Sequence, residues 1–74
     1  MKIDLKEIEF AIFCIENVAD KLETTGKEIF NCLTINSNIL DNYVIPSYDV
    51  LHTQGKNYIV NDIIDCMKEA GVLK

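Results

Sequence analysis

The sequence predicts an all-α fold, a small bundle of four short helices with the third kinked at Pro46. Three observations carry this expectation. Apolar residues recur at three- and four-residue spacing through each long segment. Helix-start signals and glycine stops punctuate the chain between those segments. The one strand-like run, Tyr58-Ile59-Val60, has no alternating partner with which to pair.

The chain has 74 residues, of which 49% are hydrophobic and 26% charged. That is a globular composition, read as a single domain over residues 1–74, and no apolar run approaches a membrane span. The first helix is expected from about Asp4 to Glu23. Asp4 followed by Glu7 has the form of a capping box. Leu5, Ile8, Ile12, Ile15, Ala19 and Leu22 then fall on one helical face, widened by Ala11, Cys14 and Val18. Phe10 and Phe13 project elsewhere, among Lys6, Glu9, Asn17 and Asp20. The helix is therefore apolar all round over Phe10–Ile15. It is either central in the bundle or covered by another chain.

Thr25-Gly26-Lys27-Glu28 reads as a second capping box, opening a short helix to about Ile35. Ile29, Phe30, Cys32 and Leu33 are its expected buried side. Ser37 or Asn38 is placed to cap the next helix. That third helix, Asn38 to Gln54, aligns Leu40, Tyr43, Val44, Ser47, Val50 and Leu51 on one face. Pro46 removes a backbone hydrogen bond and crowds the carbonyl of Asn42, so a kink is expected, with a full break between Val44 and Ser47 as the alternative. Gly55 reads as a left-handed C-cap. The last helix spans about Asn57 to Ala70 and stops at Gly71. Ile59, Val60, Ile63, Ile64, Cys66, Met67 and Ala70 form its inner arc.

Charge and cysteine usage narrow the function classes. Twelve acidic residues face seven lysines, giving a net charge of −5. The chain contains no arginine. A helix–turn–helix drawn through Asn36-Ser37-Asn38 would place in the groove a helix with no Lys or Arg. Direct nucleic-acid binding is therefore the weakest reading. The charge points instead to a basic protein partner. Cys14, Cys32 and Cys66 are odd in number and sit within apolar patterns, as reduced core thiols of a cytoplasmic protein do. The N-terminus lacks the basic and apolar regions of a signal peptide.

Catalysis requires a nucleophile, base or metal held in a cleft. His52 stands in no familiar motif, and Asp62, Asp65 and Glu69 share a solvent-facing helix side. No phosphate, dinucleotide or calcium loop is present. No enzymatic activity, cofactor or metal is expected. Two surface patterns remain. Phe10 and Phe13 suggest a self-association face, hence a homodimer. On the third helix, Asp41, Ile45, Tyr48 and His52 form a stripe opposite the buried side. Aromatic residues in such a position favour interface cores. If that stripe faces out, Tyr48→Ala weakens partner binding without loss of helicity.

The run Leu51-His52-Thr53-Gln54-Gly55, followed by Tyr58-Ile59-Val60 and Asp62-Ile63, resembles the signature of a family of very short bacterial proteins grouped as a domain of unknown function. Thr25-Gly26-Lys27-Glu28 with Phe30, and Phe13-Cys14-Ile15-Glu16, resemble its N-terminal half. The resemblance spans about Leu5 to Ala70. It implies a gene neighbour similar to an ADP-ribosyltransferase, in a toxin–antitoxin-like arrangement, and carries no established activity. Pro46 departs from the uninterrupted helix usual in this segment of the family. The Leu51–Gly55 run has two readings. In one, Thr53, Gln54 and Gly55 form a helix joint; in the other, His52, Gln54 and Tyr58 contact a partner. The leading expectation is a protein-binding module, antitoxin-like in form, contacting its partner through Ile45, Tyr48, His52, Gln54 and Tyr58. A self-associating helix bundle is the alternative.

Overall fold

Asp4 opens the first helix as its spacing predicts. Its carboxylate accepts the Lys6 amide at 3.2 Å, and its own amide donates to Glu7 Oε1 at 3.1 Å. In a computed structural model that describes residues 4–72, this cap begins α1, Leu5–Lys21. α2 covers Gly26–Thr34, a π-helical turn Leu40–Val44, α3 Tyr48–Leu51 and α4 Lys56–Glu69. Every regular element among the described residues is helical. No described helix is long and apolar enough to cross a membrane.

α1 ends by a left-handed turn at Glu23, whose φ is 55°. The Thr24 amide donates to the Ala19 carbonyl and the Glu23 amide to that of Asp20, the paired bonds of a Schellman cap. Thr25 then caps α2, its hydroxyl accepting the Glu28 amide at 3.2 Å. Ser37 serves the next segment: its hydroxyl donates to the Cys32 carbonyl and accepts the Ile39 amide.

The expected third helix is two pieces. Ile45 donates to the Leu40 carbonyl, five residues back, so the chain has slipped by one residue before Pro46. A turn over 45–47 follows and the four-residue α3 resumes at Tyr48. The cause is local. Pro46 has no N–H to offer Asn42, and its ring crowds that carbonyl. The break between Val44 and Ser47 thus replaces the simple kink. It also resets the helical phase. Leu40, Val44 and Leu51 remain buried, but Val50 is exposed and Ile45 and Tyr48 pack against the core. A helix–turn–helix would need one continuous recognition helix here, and this segment does not form one.

The core gathers one side of each helix: Phe10, Cys14 and Val18 of α1, Ile29 and Leu33 of α2, Val44, Leu51, and Ile59, Ile63 and Met67 of α4. No polar side chain is buried among the described residues. α4 follows its predicted arc, with Cys66 half-buried at the edge and Ala70 exposed. α1 does not. Its buried side is Phe10, Ala11, Cys14, Val18 and Ala19, about a quarter turn from the predicted stripe. Phe30 of α2, expected inside, is exposed.

Gly55 corrects a further expectation. Its φ is −70° and ψ 157°, so it is the extended N-cap of α4, not a left-handed C-cap. Gly71 is left-handed, at φ 75°, and completes a Schellman cap with Val72 donating to the Met67 carbonyl. The two glycines should therefore respond oppositely to substitution. Gly71→Ala is expected to cost about 1 kcal/mol, or roughly 4–8 °C in melting temperature. Gly55→Ser meets no atom within 4 Å. It adds a capping hydroxyl and should raise stability by roughly 0.5 kcal/mol. A loss at Gly55 equal to that at Gly71, measured by thermal unfolding, would contradict this assignment.

Candidate functional site

The residues that sequence spacing placed on two separate surfaces meet in one. Phe10 and Phe13, one turn apart on α1, stack with ring centroids 6.3 Å apart. Tyr48, the first residue of α3, meets Phe10 edge-on at 5.3 Å, with ring planes 76° apart. His52, one turn beyond, lies parallel to Tyr48 at 4.4 Å. The result is a continuous aromatic row, Phe13–Phe10–Tyr48–His52, joining α1 to α3. Edge-on and offset stacked contacts of this kind are the favoured arrangements of aromatic quadrupoles.

The row is buried in the middle and open at its ends. Phe10 is 8% exposed and Phe13 39%. Tyr48 is half-buried and His52 exposed. Phe10 is therefore a core residue, not part of a self-association face, because Tyr48 covers its ring. Ile45 and Tyr48 do not form a free outer stripe either, since the break at Pro46 turns them inward. Tyr48→Ala thus removes core packing as well as surface, and is expected to lower stability. Gln54 is exposed beyond the row.

His52 has a defined role within α3. Its Nδ1 lies 2.6 Å from the Tyr48 carbonyl oxygen. A carbonyl only accepts, so in the neutral ring Nδ1 carries the proton and Nε2 is the acceptor. Thr53 donates to the Val50 carbonyl at 2.8 Å, and the Gln54 amide to that of Leu51 at 2.9 Å. The Leu51–Gly55 run is thus a helix joint in structure, with His52 exposed at its end.

Tyr58 stands apart from the row. It lies exposed in the first turns of α4, one turn before Asp62. There the Tyr43 hydroxyl donates to the Asp62 carboxylate, tying the π-helical turn to α4. That bond, then burial, then the Asp62 charge hold the Tyr43 phenol above its ordinary range. Beside this tie, Ser37, Asn38, Ile39, Asn42, Cys66 and Glu69 border an open cleft of about 460 Å³. A second, polar cleft of about 240 Å³ lies between Asn17, Asp20 and Lys21 of α1 and Lys56, Asn57 and Asn61 of α4.

The three cysteines are free thiols. Burial pushes Cys14 up to about 12. Cys66 is raised by burial first, then by the nearby Asp62, Glu69 and Asp65. Neither is an activated nucleophile, which requires a depressed thiol pKa. Among the described residues, no three His, Cys, Asp or Glu side chains converge to hold a metal ion.

Residues 9–70 match the family described as a protein of unknown function, DUF3791. The chain belongs to this family. No curated protein and no solved structure matches it. The matched span of this DUF3791 chain contains the whole aromatic row, the Tyr43–Asp62 tie and the Leu51–Gly55 joint. Helical spacing alone could not have joined Phe10 to Tyr48, since 37 intervening positions and a broken helix separate them. The signal present in the sequence was the off-face position of both Phe residues.

Cys14 and Tyr43 hold their protons more tightly folded than unfolded. The stability tied to the Cys14 proton is full below the ordinary thiol value of 9.0 and is lost as pH rises towards about 12, whereas that tied to Tyr43 begins to be lost only above the ordinary phenol value of 10.0. Urea unfolding should show a midpoint that falls steadily above pH 9. Cys14→Ala, less stable at neutral pH because it leaves a cavity, should show a shallower fall. A profile of equal slope in both proteins would refute the assignment.

Proposed function

We propose that this chain is a non-enzymatic protein-binding module whose contact surface is built around the exposed ends of the aromatic row, Phe13 and His52. The row itself carries the reading. Four aromatic rings in line span two elements, and the buried centre fixes the exposed ends rigidly. Rigid aromatic anchors of this kind concentrate binding energy at interfaces. Gln54, next to His52 in the chain, extends the same contact, and Tyr58 offers a second anchor on α4. The chemistry of the other candidates supports a role without catalysis. The Cys14 and Cys66 thiols are held protonated, and His52 is engaged through Nδ1 by its own helix.

The net charge of −5 favours a basic partner surface. The specific form of the proposal is an antitoxin-like partner of a neighbouring gene product resembling an ADP-ribosyltransferase, as the family resemblance implies. Within that resemblance, the Leu51–Gly55 run and the Tyr58-Ile59-Val60 segment are the signature that frames the contact. The three free thiols fit a reducing cytoplasm.

The test is affinity capture from the native host with tagged wild-type, Phe13→Asp and His52→Ala chains. A stoichiometric protein encoded next door should be retained by the wild type. Its yield should fall at least tenfold with Phe13→Asp and several-fold with His52→Ala, at unchanged helicity by circular dichroism. Equal recovery with all three chains would place the contact elsewhere.

A further inference from the structure

We infer that α1 carries a second docking surface, an apolar seam along Leu5, Ile8 and Ile12 that accepts a basic amphipathic helix of another protein. The seam is the N-terminal half of the stripe whose residues alternate at three- and four-residue spacing. In that stripe Ile15, Ala19 and Leu22 are covered or half-covered within the fold. Leu5 is 68% exposed, Ile12 50% and Ile8 42%. A β-carbon at Gly26, the start of α2, would lie 3.7 Å from Ile15 Cγ2. Phe30, one turn on and on the same side of α2 as Gly26, is 46% exposed. Isolated exposed apolar residues are ordinary, but a row of them in register with a covered seam is an unfilled helix-packing site.

The spacing identifies the occupant as a helix. Residues at 3-4 spacing receive the knobs of a facing helix, whereas an extended strand presents side chains every second residue. Charge identifies which helix. Glu9 and Glu16, both exposed, border the seam on its outer side. A second copy of this chain, paired antiparallel about Ile8, would set Glu9 against the Glu9 of its twin and bring together two chains of net charge −5. A helix with Leu or Ile at the seam positions and Lys or Arg flanking them meets both the apolar row and the acidic border.

This surface rests on the protein-binding reading only in the class of its ligand; it lies on a different side of α1 from Phe13. The test uses a three-heptad synthetic peptide with Leu and Ile at the seam positions and Lys at the flanking positions, titrated by fluorescence anisotropy. A control peptide carries Glu at the flanking positions. The Lys-flanked peptide should bind the wild-type chain at least tenfold more tightly than the control. Leu5→Asp with Ile12→Asp should weaken it at least tenfold, and Phe13→Asp should leave it unchanged. Single Leu5→Asp serves if the double variant loses helicity. Equal affinity for the two peptides, no binding, or unchanged binding by the seam variants overturns the proposal. So does a sedimentation-detected dimer that the peptide does not dissociate, which would make the second copy the occupant. Retention of a host partner through Phe13 alongside a failed peptide titration would sink the seam and leave the aromatic-row reading standing.

Discussion

Pro46 has no amide proton, and the arrangement of the central segment depends on that absence. A helix through residues 38–54 would need a donor there for the Asn42 carbonyl. The chain instead slips to a π-helical bond from Ile45 to Leu40, turns, and restarts at Tyr48. The restart changes which side chains face inward. Tyr48 comes to rest on Phe10, and Val50 moves out to solvent. His52 then stacks on Tyr48 because it is one turn further along α3. One missing hydrogen bond thus positions two of the four rings in the aromatic row, Tyr48 and His52.

α1 is the element on which the others converge. It packs against both α2 and α4 and buries Phe10, Cys14 and Val18. Phe10 has the largest side chain among its buried residues, and burying an aromatic ring removes roughly 150–250 Å² from water. That demand helps turn α1 by about a quarter of its circumference from the stripe its spacing defines. A chain of this length buries only about 60% of the surface its unfolded form exposes. Some apolar side chains of α1 must therefore remain open, and here they are Leu5, Ile8, Ile12 and, on another side, Phe13. The same size limit that exposes the seam makes it available to another helix.

The polar tie between Tyr43 and Asp62 complements the apolar packing. It joins the irregular π-helical turn to the most regular helix in the fold, where no backbone ladder links them. The C-terminal end is secured in a similar way, with the Gly71 cap returning Val72 towards α2, where its carbonyl lies 3.8 Å from Cys32 Sγ. These contacts hold short elements whose own hydrogen bonds are too few to stabilise them alone.

Much of the local structure was written in the sequence. Asp4 with Glu7, Thr25, Ser37 and Gly71 mark helix boundaries through hydrogen bonds between near neighbours, so their chemistry is legible without the fold. The inner arc of α4 follows from spacing because only one of its sides is apolar. Pro46 announced a disruption for the same local reason. Gly55 misled because glycine suits both a left-handed C-cap and an extended N-cap, and only the path into α4 chose between them. For α1 the spacing placed Ala11, Cys14, Val18 and Ala19 on the apolar face but not Phe10, since a helix apolar all round in its middle satisfies its pattern in several rotations. Tertiary packing selected one rotation by placing Tyr48 over Phe10 and α2 beside Ile15. The aromatic row and the open seam are both products of that selection. Residue spacing specifies what lies on one face of one helix, and contact between distant segments decides which face is covered.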